Sequence, residues 1–172
     1  MIGITGSGGF LGQAVVAALR AQHKMVLGCV HTDDPHLAYS LLAGRCAVIL
    51  HLAGETRDPW RMYDRNVHHT QILVDICRVA QVTRLVLVSS VAVTELEQSR
   101  TTTAYAWSKW AAEQAVRNSG LDVRILRLPT IYGTTGMKRW PIMALKTLAY
   151  GRNPWALQSL EDAVAAIVAA TR

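Results

Sequence analysis

Tyr105 and Lys109 have the spacing of two side chains that share one face of a helix. A free tyrosine titrates near about pH 10, so it acts as a base at neutral pH only where a positive charge stabilises its phenolate. Lys109 can supply that charge. Ser90 follows an apolar strand pattern, and its hydroxyl could hold a substrate oxygen beside the tyrosine. The three residues together predict a catalytic site for hydride transfer.

The same pair also has a purely structural interpretation. Tyr105 could be a half-buried helix residue, and Lys109 could be a solvated charge. For an isolated pair this would be the commoner outcome, so the catalytic interpretation depends on the segments that accompany it.

A glycine-rich segment, residues 5–12, lies between a short apolar run and a helical pattern that starts near Phe10. This order surrounds one point with free backbone N–H groups and the positive end of a helix dipole, which favours a diphosphate. Gly6 can form the tight turn, Gly9 lets the backbone approach a ligand, and Gly12 lets helix and strand pack closely. A glycine-rich turn without a ligand is the alternative.

Strand and helix patterns alternate along the chain, which predicts a doubly wound α/β fold. The strand candidates are continuous apolar runs, as expected where helices cover both faces of a parallel sheet. A glycine at 120 and a capping pair, Ser159 with Asp162, mark helix ends. The predicted strands are residues 1–5, 25–30, 47–53, 84–89 and 122–128, and the predicted helices are residues 10–22, 66–81 and 105–118.

Composition limits the class of protein. With 172 residues and 51% hydrophobic content, the chain can bury one core. No apolar run approaches the roughly 20 residues that span a bilayer, and the first strand begins without a leader, so we expect a soluble, cytoplasmic protein with no membrane partner. The three cysteines lack metal-ligand spacing and are predicted to be reduced core residues, with no metal site. The net charge of +6 is scattered, which favours nucleotide-like ligands over nucleic acid.

Five segments in order resemble the extended short-chain dehydrogenase/reductase family, the group of NAD-dependent nucleotide-sugar epimerases and dehydratases. The resemblance covers nearly the whole chain and implies a Rossmann-like domain with helices on both faces of its sheet. The segments are Thr5-Gly6-Ser7-Gly8-Gly9-Phe10-Leu11-Gly12, His51-Leu52-Ala53-Gly54, Val88-Ser89-Ser90-Val91-Ala92-Val93, Tyr105-Ala106-Trp107-Ser108-Lys109 and Arg127-Leu128-Pro129-Thr130-Ile131-Tyr132-Gly133.

The resemblance also implies roles for individual residues. Tyr105 would exchange the proton of the substrate hydroxyl, Ser90 would orient that oxygen, and Lys109 would bind the cofactor ribose and tune the tyrosine. NAD or NADP would be the cofactor, and a homodimer would form through helices 66–81 and 105–118. The residues implied in cofactor binding are Gly6, Gly9, Phe10, Leu11, Gly12, Leu52, Ala53, Gly54, Ser89, Tyr105, Lys109 and Pro129.

Departures from the family pattern leave alternatives open. Cys29-Val30-His31 stands where an acidic residue would bind the NAD ribose, and Asp33 comes two or more residues late, so the choice between NAD and NADP is open. Val91-Ala92 replaces the acidic pair of the dehydratases, which disfavours sugar dehydration. Thr94 and Glu95 replace the usual Tyr-Gly and leave the neighbouring loop undetermined.

Length is a further departure. Only residues 31–46 separate the second and third strands, too few for the helix and strand usual there, and the substrate-side segment 134–172 that follows the Rossmann-like domain 1–133 is short. Either the protein is compact, or segments of a longer chain are missing from this sequence. The second is favoured, because a deleted strand would leave a gap in the sheet.

These observations predict an NAD(P)-dependent epimerase or oxidoreductase that acts by reversible hydride transfer at a hydroxyl carbon, with a nucleotide sugar as the expected substrate. A reductase of small ketones or steroid-like alcohols and a non-catalytic NAD(P)-binding redox sensor are the alternatives. Outside the triad, His51 is interpreted as a hydrogen-bonded residue, and Asn66 as a supporting contact or a helix cap. Basic residues of the last segment are interpreted as surface charges: Lys138, Arg139 and Arg152.

Overall fold

The computed structural model describes residues 1–30, 34–133 and 157–172. Its main sheet has five parallel strands in the spatial order β2-β1-β3-β4-β5. This confirms the predicted doubly wound α/β fold, and each predicted strand is present within two residues of its expected ends. The strands are β1 Ile2–Thr5, β2 Val26–Cys29, β3 Val48–His51, β4 Arg84–Ser90 and β5 Val123–Leu128.

Seven α-helices are described, and a second small sheet of two parallel strands, β6 Thr130–Tyr132 and β7 Leu157–Ser159, lies near the chain's end. A π-helical segment, Tyr63–His68, joins two of the helices into one continuous rod. The helices are α1 Phe10–Ala21, α2 Pro35–Ala43, α3 Pro59–Met62, α4 His69–Val79, α5 Ala92–Glu97, α6 Ala104–Arg117 and α7 Leu160–Ala169.

Helices cover both faces of the main sheet, which explains why its strands are continuous apolar runs. Successive side chains of a strand point to opposite faces, so Leu50 packs against α1 and α7 while its neighbour Ile49 packs against α2, α4 and α6. Both side chains are fully buried. The two resulting cores hold the carboxyl ends of the strands at one edge.

The sheet has no gap, so the argument that a shortened middle would leave one is wrong. Strand β1 pairs with β2 on one side and with β3 on the other. In the common order 3-2-1-4-5-6, the strand absent here would lie outside β2, at the edge of the sheet. The short connection instead forms α2, whose start is capped by the Asp34 side chain and carries Pro35 in its first turn.

Helix ends show further differences from the sequence expectations. The helix predicted over 66–81 starts earlier, because Asp58 caps α3 at Pro59 and the rod then runs to Val79. Asn66 therefore lies inside this rod and is not a cap. The predicted cap at Ser159 is confirmed, since its hydroxyl accepts from Asp162 N at 3.0 Å.

None of the helices in the described parts of the chain has the length and apolar character needed to span a bilayer. Cys46 and Cys77 are free and buried, as expected, whereas Cys29 at the end of β2 is only partly buried. Residues 134–156 lie outside the described ranges, so the boundary between the predicted segments 1–133 and 134–172 stays a prediction.

Candidate active site

The carboxyl ends of β1, β3 and β4 meet at one edge of the sheet. The chain leaves β1 toward β2 on one side, and β3 lies on the other side, so the strand order reverses between β1 and β3. Ligands of open α/β sheets bind in the crevice at such a reversal. The glycine-rich turn follows β1, the segment Leu52–Gly54 follows β3, and Ser90 ends β4, so this edge collects most of the predicted site.

Ser90 and Tyr105 are brought together. Thr103 caps α6 by accepting from Ala106 N at 3.2 Å, and this sets the start of the helix that carries the tyrosine. The Ser90 hydroxyl lies near enough to the Tyr105 phenol to lower its pKa. A hydroxyl at this place can hold a substrate oxygen beside the phenol.

Lys109 lies one turn further along α6, and its side chain is buried. Its Nζ donates to the backbone carbonyl of Val88 at 2.7 Å, which ties α6 to β4. Burial lowers the pKa of Lys109 to about 8, while the nearby Glu113 carboxylate opposes this shift. The amine is therefore still mostly protonated at neutral pH.

The tyrosine itself is not activated in this arrangement. Burial raises the pKa of Tyr105, and the hydrogen bond from Ser90 offsets part of that rise. The expected effect of Lys109 is not among these causes, because its ammonium group is directed to the Val88 carbonyl. The spacing predicted that Tyr105 and Lys109 share one face of α6. In the structure, Lys109 is also hydrogen-bonded to strand β4.

Two glycines of the turn are required by the fold. Gly6 has a φ of +70°, and a Cβ there would lie 2.7 Å from the backbone N of Ala53. A Cβ on Gly12 would lie 2.1 Å from the carbonyl oxygen of Gly6, so helix α1 could not pack against the turn. Both positions exclude every other residue type, as the sequence predicted.

Gly9 differs, because a Cβ there would meet only the Gly6 carbonyl oxygen, at an ordinary 3.4 Å. Gly9 is the N-cap of α1, and no side chain caps this end of the helix. The first N–H groups of an α-helix have no intrahelical acceptor, so they are available to an anion. The open cradle has the space and the donors that fit the diphosphate of a dinucleotide.

The two residues after Gly9 support the cradle. Phe10 is partly exposed, and its ring edge lies beside Gly133, where an added Cβ would be 3.1 Å away. Leu11 packs against the core between α1 and α7. Phe10 therefore keeps an exposed side beside Gly133, and Leu11 anchors the helix end.

His51 is held in a buried chain of hydrogen bonds, as the sequence interpretation expected. Thr70 Oγ1 donates to the Asn66 carbonyl, so it must accept from His51 Nε2, at 2.9 Å. His51 Nδ1 is then unprotonated and accepts from Thr5 Oγ1 at 2.7 Å, while Thr5 Oγ1 accepts from Ala53 N. Burial lowers the pKa of His51 to about 3, so the ring stays neutral. It orders the ends of β1 and β3.

Of the two interpretations of Asn66, a supporting contact or a helix cap, the structure favours the first. Its side chain accepts from Glu55 N at 2.7 Å and donates to Glu55 O at 2.9 Å, and it also donates to Ser108 on α6. It therefore fixes the exposed Gly54, where an added Cβ would lie 4.0 Å from Lys109 Nζ. This contact places Leu52–Gly54 between the glycine-rich turn and the lysine.

Two predicted cofactor residues do not join the cluster through their side chains. Ser89 is buried beneath α6 and has no hydrogen-bond partner of regular geometry among the described residues, although it helps to lower the pKa of Glu113. Pro129 is partly buried between β5 and β6. Five residues from the sequence interpretation lie outside the described residues: His31, Asp33, Lys138, Arg139 and Arg152.

A buried ion-pair group beside the triad was also missed. Glu113 lies four residues after Lys109 and is fully buried, and Arg127 of β5 binds it. The sequence signal that could have revealed this pair is a charged residue on the apolar face of α6 and another within strand β5. Nowhere in residues 1–30, 34–133 or 157–172 do three His, Cys, Asp or Glu side chains gather as a metal ion would require.

A parallel sheet that holds a glycine-rich turn and a Ser-Tyr-Lys group at one edge defines a dinucleotide-binding α/β enzyme fold. Residues 2–155 match the NAD dependent epimerase/dehydratase family. The chain belongs to this family, which confirms the resemblance and the predicted class of NAD(P)-dependent enzyme. A search of curated proteins returned no match.

Solved structures share the fold. A short-chain dehydrogenase/reductase superfamily protein from Agrobacterium tumefaciens with bound NAD is 22% identical, with a TM-score of 0.78 over 99% of this chain and 73% of its own. MoeE5 in complex with UDP-glucose and NAD is 24% identical, with a TM-score of 0.80 over 99% and 71%. UDP-N-acetylglucosamine 4-epimerase from Bacillus cereus is 21% identical, with a TM-score of 0.78 over 99% and 72%.

Proposed function

We propose that this protein is an NAD(P)-dependent epimerase or oxidoreductase that acts by reversible hydride transfer at a hydroxyl carbon of a nucleotide sugar. The observation that carries the proposal is that Ser90 at the end of β4 and Tyr105 with the buried Lys109 on α6 lie at the edge where the glycine-rich turn opens. A protein that only binds a dinucleotide needs the turn but not this group.

The protein's own residues handle the proton. Tyr105 Oη accepts the proton of the substrate hydroxyl when that carbon is oxidised, and returns it to the same oxygen when the carbon is reduced. The Ser90 hydroxyl donates to the substrate oxygen and stabilises the negative charge that develops there. Bound NAD(P) supplies the hydride acceptor and donor. The raised pKa of Tyr105 means that the phenol holds its proton until the loaded site stabilises the phenolate.

The cofactor would be held by the exposed edge of the glycine-rich turn and by the segment after β3. The N–H groups that follow Gly9 suit a diphosphate, and Lys109, close to Gly54, suits a ribose hydroxyl. Residues that would decide between NAD and NADP follow Val30, beyond the end of β2. We therefore assign the cofactor as NAD or NADP.

A nucleotide sugar is the substrate class we favour. It is supported by the family, by the named ligand of MoeE5 and by the net charge of +6, which suits a diphosphate-linked substrate. A reductase of small ketones or steroid-like alcohols would use the same triad. A redox sensor is disfavoured because it would have no use for Ser90, Tyr105 and Lys109 beside the dinucleotide site.

We further propose a homodimer through α4 and α6. Trp107 is 51% exposed and stacks edge to face on Trp110, while Val79 at the end of α4 is 87% exposed. Ile72 and Val74 of α4 are buried, so they belong to the side of the helix that covers the sheet. Exposed aromatic residues of this size are typical of interface anchors.

Denaturing extraction of the purified protein tests the proposed function first. We expect a retained dinucleotide, identified with its redox form by mass spectrometry and absorbance, because an epimerase keeps its cofactor through turnover. Nucleotide sugars and simple ketones are then assayed in parallel. Turnover of ketones alone would support the reductase, and binding of dinucleotide without turnover of any substrate would support the sensor.

A further inference from the structure

Arg127 on β5 forks between two helices. Its Nε and Nη2 donate to the two carboxylate oxygens of Glu113 on α6, at 2.9 and 2.8 Å. Its Nη1 and Nη2 donate to both oxygens of Glu97 at the end of α5, at 2.7 and 2.6 Å, and Nη1 also donates to Thr94 at 3.0 Å. One guanidinium therefore joins α5 to α6 in a fixed geometry, which a lysine could not reproduce.

The two helices set the positions of Ser90 and Tyr105. Helix α5 begins two residues after Ser90, and Ala92 N donates back to Ser90 Oγ at 3.2 Å. Helix α6 carries Tyr105 near its start. A shift of α5 relative to α6 would thus move the serine hydroxyl away from the phenol.

The bridge from Arg127 to Glu113 lies close to Ser90 and to Lys109. Arg127 pairs in register with Ser89, directly before Ser90, and Glu113 lies one turn beyond Lys109 on α6. Glu113 has no exposed surface, so its carboxylate loses its hydration. The two hydrogen bonds from Arg127 offset that loss and keep the carboxylate ionised. A solvated surface pair would not impose a geometry, whereas this pair does.

We propose that Arg127 is a positioning residue, which holds Ser90 against Tyr105 by clamping α5 to α6 through Thr94 and Glu97. The inference rests on the proposed function, since it assigns the clamp to the reaction of that triad. It adds residues outside the triad on which the chemical step depends.

The test removes the α5 half of the clamp and leaves Arg127 bound to Glu113. In the double variant Thr94→Val/Glu97→Ala, helix α5 loses every contact with the guanidinium described above. Glu95→Ala is the matched control, because it removes one exposed carboxylate from the same helix. We expect the single-turnover rate of the double variant to fall between about 10- and 100-fold with unchanged dinucleotide affinity, since small misplacements cost rates of that order. The control should keep the rate of the parent protein.

A second readout needs no cofactor or substrate. Phenolate absorbance is recorded against pH, and the curve of the matching Tyr105→Phe protein is subtracted to isolate Tyr105. The Ser90 hydrogen bond lowers the pKa of Tyr105, so losing it must raise that pKa. Removing the Glu97 charge without movement would have the opposite sign, because a nearby anion disfavours the phenolate. Lys109, Glu113 and Arg127 are kept in both proteins.

The direction of the titration decides the proposal. A raised pKa in the double variant that disappears when Ser90→Ala is already present supports the clamp. An unchanged or lowered pKa, or an equal rise in the Ser90→Ala background, overturns it.

Arg84→Met, which removes a second forked arginine that binds Asp122 at the opposite edge of the sheet, should lower stability without moving the titration. If Tyr105→Phe kept full activity, the proposed function would fail, and the titration would still judge the clamp.

Discussion

Replacement of Gly9 by valine separates cofactor binding from folding. A Cβ at this position meets the Gly6 carbonyl oxygen at 3.4 Å, which is ordinary contact, and φ is −74°, which valine adopts readily. The added methyl groups instead enter the space in front of the first turn of α1. Gly9→Val should therefore fold, while the diphosphate can no longer reach the N–H groups there.

The size of both effects follows from the structure. An N-cap glycine replaced by an apolar residue costs the helix about 1 kcal/mol, and the stiffer unfolded chain returns part of this. On the binding side, two lost hydrogen bonds to charged oxygens, each worth about 1.5–3 kcal/mol, weaken the dinucleotide at least about 100-fold. Gly12→Ala should do the reverse and fail in folding, because its Cβ would lie 2.1 Å from the Gly6 oxygen.

The assay is titration calorimetry with NAD and NADP on protein whose thermal unfolding has been measured. Gly44→Ala is the matched control, since Gly44 has helical dihedral angles and follows α2, remote from the turn. Folded Gly9→Val protein with the affinity of the parent would refute the assignment of the turn to the diphosphate. An equal loss of binding in the Gly44→Ala control would mean that reduced stability, and not the filled space at residue 9, causes the loss.

Three further outcomes are expected. Burial puts the pKa of Lys109 at about 8, below that of the unfolded chain, so carrying the charge costs the fold stability below pH 8 and the cost fades toward about pH 10.4. The free energy of unfolding of Lys109→Met minus that of the parent protein, measured in urea, should therefore fall as the pH rises from about 8 toward about 10.4, because the parent regains stability as its lysine becomes neutral. The variant also leaves the Val88 carbonyl without its donor and weakens dinucleotide binding, and a pH-independent difference would contradict this. The neutral His51, with a pKa of about 3, should make stability fall by about 1.4 kcal/mol per unit as pH drops from about 6.5 toward 3, and His51→Asn should reduce that slope in acid unfolding. Trp107→Glu should give a monomer by light scattering at micromolar concentration, and a monomeric parent protein would reject the dimer.

The sequence predicted the main sheet because its central strands β1, β3 and β4 are largely apolar runs covered on both faces. The glycine-rich turn was equally legible, since Gly6 and Gly12 are positions that only glycine can occupy. Helix α2 was not predicted, although Asp34-Pro35 is a good signal for the start of a helix. Residues 31–46 were compared with the family only by their number.

Other parts of the site depend on distances that no local pattern encodes. The bridge from Arg127 to Glu97 joins residues 30 positions apart, and the Asn66 contact with Ser108 joins residues 42 apart. The position of the Lys109 ammonium also depends on the packed structure. A helical spacing places Lys109 on the face of Tyr105, but only the packed structure directs its ammonium to the Val88 carbonyl.

The central claim is that Tyr105 Oη carries the proton in the chemical step, and Tyr105→Phe tests it most directly. The change deletes one oxygen from a well-capped helix, so the fold and the dinucleotide affinity should remain those of the parent protein. General acid or base assistance is worth about 10²- to 10⁴-fold, and the single-turnover rate of hydride transfer, followed by nicotinamide absorbance with the substrate found in the panel, should fall by that factor. A near-unchanged rate in folded Tyr105→Phe protein would contradict the assignment of the triad.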